Sequence, residues 1–190
     1  RDVQLLTPTH KGPIGTMALN AHLQRLFQRK LWGVEVPCGN AGEHQTLMIN
    51  DKVIQIKNDY DLDVMNGTTG IVEDIDEEGN LIINFDGNVI CIERGSKSMR
   101  NIQLAYALTI HKAQGSECPC AIVVCHKSHS FMHHRNLLYT GVTRATQTAI
   151  IVGDHWGISN CAELVQVENR KTLLSIALPN LTNEEELMSL

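Results

Sequence analysis

The feature that most constrains this chain is a change of periodicity partway along it. Nearly continuous apolar runs, VQLLTP (Val3–Pro8), LAYALTI (Leu104–Ile110), AIVVCH (Ala121–His126) and TAIIVGD (Thr148–Asp154), alternate with helical segments. Strands that are apolar on both faces and separated by helices belong to a parallel sheet covered on both sides. Between about Asn50 and Ser98 the texture changes to four short, β-branched, partly alternating runs: DKVIQIKND, TGIVEDID, NLIINFD and NVICIE. Turn signals at Asn66–Gly67, Glu77–Asn80 and Asp86–Asn88 separate them, as in a small antiparallel barrel or meander. The expected architecture is an α/β unit, residues 1–49 with 99–190, interrupted by a β-insert at 50–98.

Within that frame, Leu19, Leu23, Leu26 and Phe27 recur as one apolar stripe on a helix over Thr16–Arg29, which Thr16 is placed to cap. HHRNLLYTGVTRAT (133–146) and NCAELVQVE (160–168) read as further helices, and NLTNEEELMSL as an acidic, frayed tail. A length of 190 residues suits one domain with a small insertion, and 43% apolar with 19% charged residues excludes disorder. No apolar run nears the ~18 residues of a membrane span. A net charge of -5 counts against DNA binding by a broad basic patch, but not by a groove lined by a few side chains. The six scattered cysteines fit a reduced, cytoplasmic setting. The chain opens on RDVQLL without an initiator Met and reads as a piece of a longer polypeptide.

Three stretches carry chemistry. In LAYALTIHKAQGSE (Leu104–Glu117), Thr109, His111, Lys112 and Gln114 arrive together at the carboxyl end of a strand, where open α/β sheets bind ligands. Gly115 permits a close backbone approach there. In LLYTGVTRAT (Leu137–Thr146), Leu138, Val142 and Ala145 share a face directed at the sheet, while Leu137, Gly141 and Arg144 share the next. Arg144 serves either the carbonyl end of its helix or the charge on a transferring phosphoryl group. THKGPIGT (Thr9–Thr16) is a strand–loop–helix in which Gly12, Pro13 and Gly15 demand a turn. It lacks G-x-x-x-x-G-K-[ST], although N–H groups at a helix start can hold a phosphate.

In this order, TPTHKGPIGTMALN, LTIHKAQGSE and LLYTGVTRAT resemble motifs IV, V and VI of superfamily 1 DNA helicases. The match is closest to the RecD-like group, which includes the exodeoxyribonuclease V alpha subunit. DKVIQIKNDYDLDVMNGTTGIV resembles the start of the SH3-like barrel that these helicases insert into their second motor domain. The resemblance runs from roughly Val3 to Leu178 and implies a RecA-like, P-loop-NTPase-type parallel sheet with an inserted SH3-like barrel. It implies ATP held between two RecA-like domains, single-stranded DNA running across both, and 5′-to-3′ translocation. By the same resemblance, Thr109, His111, Lys112 and Asn20 face DNA, while Gly115, Glu117 and Lys11 face the nucleotide. Arg144 is the arginine finger, Gln114 couples the two sites, and Tyr139 and Thr143 support the Arg144 helix. The chain departs from the pattern at Cys118, and it contains neither a Walker A Lys nor an acidic Mg²⁺-binding motif. ATP with Mg²⁺ is thus expected to be bound mainly by an N-terminal motor domain of the same polypeptide. Partner subunits of a nuclease–helicase complex are a further implied association.

Two other readings remain open in the sequence. Cys118, Cys120, Cys125, His126, His129, His133 and His134 crowd into residues 118–134, and zinc takes Cys and His in tetrahedral sets. C-x-C is nonetheless a poor zinc spacing. Alternatively the barrel is a non-catalytic interaction module, with Lys52, Lys57, Arg94, Lys97 and Arg100 near its two ends and the acidic EDIDEEG on another edge.

Overall fold

A computed structural model describes residues 3–36 and 46–165. Cys38 and the acidic tail lie outside the described residues. The chain begins with β1 (Val3–Thr7) and α1 (Thr16–Phe27), which runs on into a π-helical turn, Gln28–Trp32. There follow β2 (Lys52–Gln55), β3 (Thr69–Ile75), β4 (Leu81–Phe85), β5 (Asn88–Ile92), a 3₁₀ turn (Met99–Asn101) and β6 (Ile102–Leu104). Then come β7 (Ala107–Thr109), β8 (Cys118–Cys125), a 3₁₀ segment (Lys127–Met132), α2 (Arg135–Val142), β9 (Ala145–Gly153) and α3 (His155–Glu163).

The strands form two sheets. A parallel sheet has the order β7-β1-β8-β9, with Leu6 in register with Leu108 on one side and Val123 on the other. An antiparallel sheet has the order β5-β4-β3-β2-β6, bulged between Val72 and Asp74. Alternation along β2 joins them, because successive strand residues face opposite ways. Val53 enters the barrel core with Val72, Leu81, Ile83 and Ile92, whereas Ile54 enters the core under the parallel sheet with Leu6, Leu108 and Val123. Among the described residues β9 is an open edge with Ile150, Ile151 and Val152 exposed, so the sheet is not covered throughout as expected.

Four local expectations fail. LAYALTI is not one strand: Leu104 ends the antiparallel sheet and Ala107 opens β7 of the parallel one. Asn20 enforces the break, donating Nδ2 to the carbonyls of Leu104 and Ala107 (3.0 Å each) and accepting the Ala107 N–H (2.7 Å). The buried face of α1 is accordingly not the leucine stripe. It is Thr16, Asn20, Gln24 and then Gln28, one residue every four, because this face meets backbone rather than an apolar core. The helix N-cap is Gly15, and the Thr16 hydroxyl bonds His10 Nδ1 instead (2.7 Å). Finally, α2 stops at Val142, so Ala145 already belongs to β9.

Asn20, expected on the DNA side, is therefore a buried structural clamp. Asn20→Ala would strand the Ala107 N–H and two carbonyls, costing about 2–4 kcal/mol of stability. Denaturant unfolding measures this; unchanged stability with weakened DNA binding would instead return Asn20 to the DNA surface.

Candidate nucleotide and DNA site

Beyond β7 the chain folds into a tight turn held by its own backbone. The Ala113 N–H donates to Thr109 O (3.1 Å), Gln114 N–H to His111 O (3.3 Å) and Ser116 N–H to Ala113 O (3.2 Å). The Thr109 hydroxyl oxygen accepts the Lys112 N–H (3.2 Å). Ala113 is buried and anchors the turn, while His111, Lys112, Gln114, Gly115 and Glu117 are all exposed around it. Gly115 has φ +85°, a left-handed conformation that suits glycine. The sequence thus presents five polar or flexible positions outward from one apolar anchor.

Arg144 reaches this turn from the end of α2. His134 Nδ1 caps that helix by accepting the Leu137 N–H (3.0 Å). Gly141 lets it lie close on β8, since a Cβ there would meet Val123 Cγ1 at 3.1 Å. Leu137 and Gly141 are the buried positions, one step round the helix from the predicted Leu138 and Val142 face. Arg144 donates Nε to Thr140 O (3.1 Å), Nη1 to Ser116 O (3.0 Å) and Nη2 to Thr143 Oγ1 (3.2 Å). A guanidinium carries five N–H groups, and these partners engage three. Thr143 braces Arg144 as expected of it. Tyr139 does not: its side chain is exposed, and only its carbonyl takes part, accepting the Thr143 N–H.

The Thr9–Thr16 loop arrives on the other side. Gly15 passes so near the preceding backbone that a Cβ would lie 2.5 Å from Lys11 O. The N–H groups of Gly15, Thr16 and Met17 donate to the carbonyls of Gly12, Thr9 and His10, so the helix start is not an open phosphate cradle. Lys11 stays exposed beside it. The Thr9 hydroxyl donates to Lys11 O (3.0 Å) and so accepts from His129 Nε2 (3.0 Å), which fixes the His129 tautomer. Burial lowers the pKa of His10, and the nearby charges of Lys112 and Lys11 lower it further. Lys11 and Lys112 thus form one electropositive corner around His10, whose charged form they disfavour.

Two hollows flank the turn. A cleft of about 990 Å³ opens between the barrel and the α1–β7 side, lined by His10 and Lys112 on one wall and Arg94 and Arg100 on the other. Among the described residues no Asp or Glu lines it, although the whole chain is acidic. A smaller hollow of about 100 Å³ is bordered by Lys52, Lys112, Glu117 and Arg144. Lys112 stands between the two. Lys52, grouped in sequence with the barrel's basic residues, turns away from the cleft to Gln4 Oε1 (2.9 Å).

The Cys/His cluster disperses. Cys118 Sγ faces Cys120 O and Arg144 O, and Cys125 is buried in the core with Cys161. His126 pairs with Ser128, His129 with Thr9, and His133 with Asn160, while His134 caps α2. Among the described residues no three His, Cys, Asp or Glu side chains converge. The zinc reading has no geometry to rest on.

Comparison with known proteins agrees with this arrangement. Residues 19–85 match the ATP-dependent RecD-like DNA helicase SH3 domain, and residues 104–152 match the UvrD-like helicase C-terminal domain. Over 175 residues, 90% of the chain, the sequence is 43% identical to the ATP-dependent RecD2 DNA helicase of Deinococcus radiodurans. The chain carries a RecD-like SH3 domain and a UvrD-like helicase C-terminal domain. It is also 27% identical, over 79% of its length, to the RecBCD enzyme subunit RecD of Mycolicibacterium smegmatis. It spans about a quarter of these relatives, 23% and 25% of their lengths. Two solved helicases share the fold. Bacteroides Pif1 in complex with ADP-AlF3 and ssDNA superposes with TM-score 0.53 at 18% identity, covering 93% of this chain and 44% of that one. Candida albicans Pif1 gives 0.53 at 17%, covering 95% and 49%. This RecD-like chain therefore has the expected RecA-like parallel sheet with an SH3-like antiparallel insert.

One buried group of the RecD-like chain was missed from sequence. Asp51, fully buried, gathers donors from Gln24, Gln28, Met48 and Tyr106. The signal was present as polar residues at Asn20, Gln24 and Gln28, a four-residue spacing that the neighbouring leucines obscured.

Proposed function

We propose that this chain is the second motor domain, with its inserted barrel, of an ATP-dependent DNA helicase that moves 5′ to 3′ on single strands. The observation that carries the reading is the bond from Arg144 Nη1 to Ser116 O. It ties the VTRA arginine to the IHKAQGSE turn, whose Lys112 also lines the electropositive cleft. In this reading His111, Lys112 and Thr109 contact the DNA backbone from the cleft side. Gly115, Glu117 and Lys11 face nucleotide, and Gln114 lies between the two ligands. Arg144 turns its free N–H groups to the γ-phosphate when an N-terminal motor domain closes against it. Its phosphate partner exists only before hydrolysis, which supplies the differential affinity that a two-state cycle requires.

The division into 1–49 with 99–190 and an insert at 50–98 is part of the proposal; strand pairing supports it and adds Ile102–Leu104 to the insert. The described residues offer Mg²⁺ no converging acidic set, so ATP and its metal are assigned mainly to the N-terminal motor domain. Single-stranded DNA, ATP and that domain are the proposed partners, in a cytoplasmic setting. The RecD relatives are named as subunits of the RecBCD enzyme, which makes partner subunits part of the proposal as well. No helix among the described residues is long and apolar enough to cross a membrane.

The barrel wall of the cleft provides a direct test. Each phosphate contact on a single strand contributes roughly 0.7 to the slope of log affinity against log salt. Arg94→Ala with Arg100→Ala in the full polypeptide should therefore reduce that slope by about 1.4 and weaken single-strand binding without regard to sequence. An unchanged slope would remove the barrel from the DNA path.

A further inference from the structure

The barrel is joined to the parallel sheet by two chain crossings, one entering β2 and one at Ala105–Tyr106 between β6 and β7. Both are gripped by the same polar face of α1. Gln24 Nε2 donates to Thr46 O (2.9 Å) and to Asp51 Oδ2 (2.5 Å). Gln28 Nε2 donates to Ile49 O (2.8 Å) and to Asp51 Oδ1 (3.0 Å). Tyr106, on the return crossing, donates its hydroxyl to Asp51 Oδ1 (2.9 Å), and Met48 N–H donates to Oδ2 (2.8 Å). Four donors from α1, the outward crossing and the return crossing thus meet on one carboxylate with 0% exposure. None of these four is a cation. From the opposite side, Gln4 Nε2 donates to the carbonyls of Ala105 and Tyr106 (3.2 Å each). The Phe27 ring packs on Tyr106 with centroids 5.4 Å apart.

Apolar side chains would hold such a junction with less desolvation. Replacing a buried ionic group by apolar residues of similar volume is often neutral or stabilising. Burial indeed raises the Asp51 pKa above the usual carboxylate range, although four hydrogen bonds act the other way. What apolar contact cannot supply is a fixed orientation, whereas hydrogen bonds to a charge are directional and strong. The placement matters because α1 starts at the Thr9–Thr16 loop and β7 leads into the Thr109–Glu117 turn. Asn20 and Asp51 together connect the Arg94 and Arg100 wall of the cleft to the His10 and Lys112 wall.

We propose that Asp51 is a positioning residue that seats the SH3-like barrel on α1, so that the barrel and the Arg144-bearing sheet move as one rigid body. The consequence for unwinding rests on the helicase reading above; the rigidity does not. In the full-length polypeptide, fluorophores introduced as unnatural amino acids at Glu77 on the barrel and Lys127 beyond β8 report the distance between the two units. Wild type is expected to give one narrow single-molecule distance distribution, the same with and without ATP and single-stranded DNA. Asp51→Ala should broaden it. Tyr106→Phe removes one donor but keeps the ring on Phe27, and should broaden it less; it carries the test if Asp51→Ala does not fold. In the same variants, base pairs unwound per ATP should fall several-fold while DNA-stimulated ATPase is retained. A broad or ATP-dependent wild-type distribution, or folded variants as narrow as wild type, would overturn the proposal. So would ATPase and unwinding falling together in step with melting temperature. If the full polypeptide proves to have no ATPase, the helicase reading fails, yet the distance measurement still decides the rigidity.

Discussion

Arg144→Ala in the full polypeptide should lower DNA-stimulated ATP turnover by roughly 10³–10⁵-fold, the range over which arginine fingers act in phosphoryl transfer. Single-strand affinity should stay near that of wild type, because Arg144 is assigned to the nucleotide and does not line the larger cleft assigned to DNA. The structure also gives Arg144 a framework role, with bonds to Thr140, Thr143 and Ser116. Hydrogen bonds of this kind contribute about 1 kcal/mol each, and the side chain is partly exposed. A framework role alone therefore predicts a lowered melting temperature with turnover nearly intact. Arg144→Lys separates the two possibilities. It keeps a charge and one or two of the backbone contacts, but loses the planar fork that meets phosphate oxygens. If Lys restores the melting temperature without restoring turnover, the guanidinium acts on the phosphate. Near-normal turnover in Arg144→Ala would end the assignment.

The second large effect is the mirror image. His111 and Lys112 are exposed, and the turn uses only their backbone groups. Replacing both with Ala should therefore leave the fold and the chemistry intact and weaken the hold on DNA. Loss of two contacts worth about 1 kcal/mol each would raise the DNA concentration needed for half-maximal ATPase by roughly thirtyfold. Turnover at saturating DNA should change little. Thr109 is a poorer probe, because its hydroxyl also holds the turn through the Lys112 N–H.

How much was legible in the sequence depended on what kind of partner a residue has. The fold class followed from strand periodicity, and the IHKAQGSE turn from a density of polar groups at the end of an apolar run. The parts that escaped are those where backbone is the partner. Nothing in LAYALTI itself reveals that the strand breaks at Ala105–Tyr106. The break is imposed by Asn20 and Gln4, distant in sequence, which occupy backbone groups on both sides of it. The leucines of α1 suggested the wrong buried face for the same reason. A helix that packs against carbonyls and a carboxylate buries amides, and an amphipathic count favours leucines. The Cys/His cluster shows the opposite case: residues near in sequence are dispersed by β8, the Lys127–Met132 segment and α2.

In the proposed function the Thr109–Glu117 turn is two-sided, with DNA on one face and nucleotide on the other. Steady-state ATPase of the full polypeptide, measured against single-stranded DNA concentration for wild type, Arg144→Ala and His111→Ala/Lys112→Ala, tests it most directly. A two-sided turn gives a clean separation: the arginine variant loses maximal turnover at an unchanged half-saturation, and the double variant keeps maximal turnover at a much higher half-saturation. If both variants shift the same parameter, the turn does not divide two ligands.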